Sequence, residues 1–148
     1  MKKSIIIEIT CGLLVLLFSY TGFSKLFNHA VFHSQLIIFP ILKHAEPFLS
    51  WTLPICELAI AIMLLTQNLR LIGLYASLIL LITFTLYLTI MLISHIDLPC
   101  SCGGVIQYLS WKAHIVFNFF FIALTVTAIF FHQQLNTSFF VKPKVQSS

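Results

Sequence analysis

From Leu71 to Ser94 the chain runs for 24 residues without a single charged side chain. A stretch of that length and character has one comfortable solution, a helix crossing a bilayer whose hydrocarbon core of about 30 Å takes roughly 20 apolar residues. Three further stretches qualify: about Ile5 to Phe23 ("IIIEITCGLLVLLFSYTGF"), about Leu49 to Leu65 ("LSWTLPICELAIAIMLL") and about His114 to Phe131 ("HIVFNFFFIALTVTAIFF"). Composition agrees. Charged residues make up 8% of the chain and hydrophobic ones 59%, where soluble domains carry roughly 25% charged residues. Backbone polar groups must be satisfied within lipid, and the polar–apolar alternation of a membrane barrel is absent. The expected fold is all-α: a four-helix transmembrane bundle.

Lys2 and Lys3 before an apolar run also fit a secretory signal. Glu8 interrupts that run, however, and "SYTGFSKLF" offers no small-residue cleavage site, so the segment reads as a first helix. The net charge of +4 is too dispersed for a nucleic-acid surface. It does orient the chain: with the N-terminus inside, Lys2, Lys3, Arg70, Lys142 and Lys144 are cytoplasmic, while Lys25, Lys43 and Lys112 lie opposite. The expected setting is a bacterial inner (cytoplasmic) membrane with both termini cytoplasmic. Residues 1–135 form the membrane domain and 136–148 a short cytoplasmic tail.

Between the first two spans, Phe32, Leu36, Ile37 and Phe39 recur at near-helical spacing opposite His33, Ser34 and Gln35. Two readings stand side by side: an amphipathic helix along the outer interface ended near Pro40, or an irregular loop capping the bundle. "TQNLR" (Thr66 to Arg70) is a short inner turn that makes the second and third helices antiparallel neighbours. Ser110 is placed to cap the fourth helix, with Tyr108 and Trp111 as anchors at headgroup level.

The chemistry sits in the other outer connection, "LPCSCGG" from Leu98 to Gly104. On that side of the membrane thiols can be oxidised and stay so. A Cys100–Cys102 disulfide would close a three-residue loop, for which the chain-entropy formula gives about 1.6 kcal/mol, while poor ring geometry costs several kcal/mol. Strain of roughly 2–3 kcal/mol raises the potential by about 45–65 mV. Such a bond is a poor staple and a good oxidant. Gly103 and Gly104 free the backbone for the turn, Pro99 fixes its approach, and the positive end of the fourth helix favours a thiolate nearby. Two other readings remain: two incidental small residues, or half of a copper or zinc site with the flanking His95 and His114. Against zinc stands the one-residue spacing, tighter than usual for two ligands of one tetrahedral ion.

Cys11, deep in the first helix, reads as a packing residue. Cys56, about 10 Å into the second helix at 1.5 Å per residue, reads the same way, with a lesser alternative as a resolving thiol. Glu57 needs a reason, because a carboxylate inside a span is costly and marks a pathway or a partner. Lys25 lies at a comparable depth and is the expected partner, tying the first two helices. The alternative is a protonated Glu57 with Lys25 snorkelling outward. Glu57, Lys25, His95 and His114 are thus supporting candidates for proton handling beside the catalytic candidates Cys100 and Cys102. Glu8 and Asn118 read as structural.

Taken together, "GFSKLF" after the first span and "ELAIAIMLL" on the second resemble the DoxX-type membrane architecture. With "PCSCGG" before the fourth span and "LSWKAHIVFN" opening it, the chain resembles MauE and its relatives, the redox-associated branch. The likeness covers nearly the whole chain, and its specific part is the cysteine motif. It implies a component of methylamine-utilisation or similar disulfide-maturation systems. There, Cys100 and Cys102 pass redox equivalents to a periplasmic thioredoxin-like protein or a secreted cysteine-containing substrate. The bundle also resembles quinone-linked disulfide generators. Those use two intervening residues and a second cysteine pair, which this chain lacks, so a quinone is an optional cofactor and not an implied one. A rival from another class is a non-catalytic membrane anchor or assembly subunit of a redox complex.

Overall fold

The computed structural model describes residues 2–30, 46–93 and 111–140. They form four helices: α1 (Lys2–Phe27), α2 (Glu46–Leu65), α3 (Arg70–Ile93) and α4 (Trp111–Phe140). Each expected span lies inside one helix, except that Ser94 at the end of the third falls outside the described residues, and all four helices are long and apolar enough to cross a membrane. The chain is a multi-pass membrane protein. The proposed interfacial helix around Phe32 to Pro40 falls outside the described residues, as do Ser110, His95, Cys100 and Cys102.

α1 packs on α2 and α4, and α3 packs on the same two helices. Neighbours run antiparallel, as cross-links at one end show. Lys3, at the start of α1, donates to Gln134 late in α4 at 2.5 Å, and Gln133 donates to the Tyr75 hydroxyl early in α3 at 2.7 Å. The α2–α3 turn forms where expected: the Leu69 amide donates to the Thr66 carbonyl at 3.0 Å and the Gly73 amide to the Leu69 carbonyl at 2.8 Å. This is the turn end of the bundle. The opposite end carries the 28–45 and 94–110 connections.

Ile7, Cys11, Leu14 and Phe18 of α1 meet Ala61 and Leu64 of α2, Leu74 and Leu81 of α3, and Phe121 and Ala128 of α4 in the core. Outward positions are equally apolar. Leu16, Ile79 and Val116 are 71%, 66% and 68% exposed, a surface suited to lipid chains. Hydroxyls inside the bundle bond back to their own helix, as Ser77 to the Gly73 carbonyl and Thr85 to the Leu81 carbonyl, both at 2.7 Å. No donor is left facing hydrocarbon at these positions.

α1 and α2 approach closely because Gly22 faces α2. A Cβ added there would meet Leu58 Cγ at 3.1 Å and the Pro54 carbonyl oxygen at 3.3 Å. Leu58 can rotate, but the Pro54 backbone cannot. Gly22→Ala is therefore expected to push the helices apart and cost about 1–3 kcal/mol, the range for overpacking. A lowered midpoint of denaturant-induced unfolding in mixed micelles would register it.

Candidate functional site

Near the connection end, polar side chains from three helices converge inside the bundle. Glu57 lies three residues past Pro54 on α2 and is 1% exposed, while Lys25, in the last turn of α1, is 3% exposed. The Lys25 ammonium donates to Glu57 Oε1 at 2.5 Å. The ion pair expected from the sequence is formed. Lys25 is held from a second side by α3, with its Nζ 5.0 Å from the centre of the Phe84 ring. A cation on an aromatic face within about 6 Å is attracted by the ring quadrupole, and more so away from water. One ammonium thus ties α1 to both α2 and α3.

A cavity adjoins the pair. Its walls include Thr21, Lys25, Glu57, Phe84, His114 and Asn118, and about 30 Å³ of it is open to the centres of water molecules. His114 and Asn118 are each 5% exposed. They stand one helical turn apart on α4, as Thr21 and Lys25 do on α1, so each pair presents two polar groups on one face. Thr21 donates to the Phe18 carbonyl at 3.4 Å. α3 contributes apolar wall at Leu81, Phe84 and Leu88.

Of the residues singled out in the sequence, the structure brings Lys25, Glu57 and His114 around this one cavity. His114, weighed with His95 and the thiols as a metal ligand, lines a space with a carboxylate and an ammonium in its walls. Asn118, which reads as structural in the sequence, belongs to the same lining. Thr21 was not singled out; its place four residues before Lys25 on the same face was the available signal. The two described cysteines part company. Cys11 is buried in the core, as a packing residue should be, whereas Cys56 is exposed on the outer side of α2. Among the described residues no group of His, Cys, Asp and Glu side chains is arranged to hold a metal ion.

The arrangement can hold a proton, a water molecule or a small polar group against an ion pair in a largely apolar enclosure. The connection bearing Cys100 and Cys102 leaves α3 five residues beyond Leu88 and enters α4 three residues before His114, so its two ends are rooted at the same end of the bundle as the cavity.

The sequence pattern of the family described as Methylamine utilisation protein MauE matches residues 3–131, a range that includes all of α2 and α3 and most of α1 and α4. No curated protein and no solved structure matches the chain.

Proposed function

The chain belongs to the MauE family, and we propose that it performs thiol–disulfide exchange with an extracytoplasmic protein through Cys100 and Cys102. The observation that carries this reading is the Cys-Ser-Cys triplet between Pro99 and Gly103 in an otherwise apolar chain, on the connection from α3 to α4. A disulfide across so short a loop stabilises little and is readily passed on. The partner class is a thioredoxin-like protein or a secreted dithiol substrate, and the setting is a bacterial inner membrane with that connection outside.

The exchange balances without any further reagent. A partner thiolate attacks one sulfur of the Cys100–Cys102 bond, which breaks to give a mixed disulfide and a free thiolate on the other cysteine. The partner's second thiolate attacks the mixed disulfide and releases the remaining cysteine. Two electrons and two protons have then moved to the pair, and the partner carries the new disulfide. Run backwards, the same steps reduce the partner.

Single Cys100→Ser and Cys102→Ser variants test this. Serine removes the second nucleophile but keeps its size, so at least one variant is expected to accumulate a mixed disulfide with a partner. Non-reducing electrophoresis and mass spectrometry of whole membranes detect that product. If neither variant traps a partner and both sustain wild-type disulfide formation in cells, the thiols are not the working groups and the anchoring role takes their place.

A further inference from the structure

The second oxygen of the Glu57 carboxyl, Oε2, is buried and has no hydrogen-bond partner among the described residues. Buried polar atoms in native folds are nearly always satisfied by protein or by ordered water. The cavity offers the second. One water takes roughly 10–15 Å³ of such volume, so the 30 Å³ beside Glu57 has room for about two. Lys25, His114, Asn118 and Thr21 in the same walls supply the further polar contacts that a buried water requires.

We propose that this cavity is a hydrated proton-holding site. Glu57 and its waters accept the proton that an attacking thiol must shed and return it to the thiolate that leaves. The proposal deepens the thiol–disulfide reading and rests on it for its use. In each half of the exchange a thiol loses its proton, its sulfur attacks the disulfide, the S–S bond breaks, and the departing sulfur regains a proton. The carboxylate is neutralised and then restored, and nothing is consumed.

Every group that faces Glu57 fits this role. From α1 come the Thr21 hydroxyl, beside the carboxyl, and the Lys25 ammonium, a fixed countercharge, so the site goes from net neutral to singly positive when the carboxylate takes up a proton. From α4 comes His114, in the first turn of its helix and so between the cavity and the connection end. Among the described residues α3 contributes Phe84, Leu81 and Leu88, which are apolar. On α2 the neighbouring Cys56 is turned outward.

The test uses the full-length chain in lipid nanodiscs, with dithiothreitol as the reducing probe. The rate at which it opens the Cys100–Cys102 bond is followed by quenched alkylation and mass spectrometry across the neutral pH range. Glu57→Gln is expected to slow that step by about 100-fold, the lower end of general acid–base contributions, and to make its rate rise more steeply with pH, since the thiolate must then form in solution. Because Glu57→Gln leaves Lys25 without its countercharge and can fail to fold, the double variant Lys25→Met/Glu57→Met is measured beside it. That variant removes both charges and is expected to be just as slow while staying folded. A folded double variant within about twofold of the wild-type rate overturns the proposal. Should dithiothreitol show the expected slowing while the serine variants trap no partner, the proton site stands and the protein-exchange reading falls.

Discussion

Replacing Lys25 alone by methionine is expected to destabilise the bundle by about 3–5 kcal/mol, the range for stranding one member of a buried ion pair. Glu57 would then sit 1% exposed with neither carboxylate oxygen bonded to an ammonium. Glu57→Met alone strands the Lys25 ammonium between α2 and the Phe84 ring and should cost a similar amount. The double variant decides what the pair is for. If the charges serve stability, the double variant remains about as destabilised as either single one. If the pair is retained for chemistry, the apolar replacement recovers most of the loss, since well-packed hydrophobic pairs commonly match or exceed buried ion pairs in stability. Recovery to within about 1 kcal/mol of wild type is the expected outcome, read from unfolding in mixed micelles. A double variant that stays several kcal/mol below wild type, about as unstable as either single one, would make the pair a structural clamp.

The pair was legible in the sequence because burying a charge in lipid is expensive enough to demand a partner, and Lys25 and Glu57 were the two ionisable residues at matching depth. The spans were legible for the same energetic reason: long apolar runs have few alternatives in water. Their ends were less so. α1 begins at Lys2 and continues to Phe27, and α4 extends from Trp111 to Phe140, beyond the apolar windows and past the boundary expected after residue 135. Polar residues such as Gln133 and Gln134 continue the helix because they bond across to Tyr75 and Lys3, and hydropathy alone does not register such contacts. The cavity was not legible at all. It depends on the rotation of α4 about its own axis, which turns His114 and Asn118 inward, and in a helix rich in phenylalanine on every side the apolar pattern does not mark an inner face. The i, i+4 recurrence of polar residues on α1 and α4 was the usable signal, weaker than the cysteine motif that drew His114 into the thiol constellation instead.

Substituting both loop thiols, Cys100→Ser with Cys102→Ser, is expected to bring disulfide transfer down to the uncatalysed background while the bundle stays as stable as before. The first half follows from electron counting, since serine oxygen neither forms the S–S bond nor accepts the two electrons that the exchange moves. The second follows from where the fold is held. The described core is built from residues of α1, α2, α3 and α4, with Leu14, Leu64, Leu74, Leu88 and Thr125 at 1% exposure or less, and Cys100 and Cys102 belong to none of these helices. A three-residue ring adds at most about 1.6 kcal/mol of entropy-derived stability, offset by its own strain, so the unfolding midpoint should move little. The outcome is the mirror image of the Lys25→Met result, in which the fold suffers first. An assembly subunit with structural thiols behaves differently. Losing them would weaken the bundle or its association with a complex, and would leave transfer to whichever other protein performs it. Measuring oxidation of a secreted cysteine-containing substrate in cells, alongside the unfolding midpoint of the purified double variant, separates the two. Transfer lost with stability kept identifies the pair as the reacting group, whereas stability lost with transfer kept identifies it as scaffold.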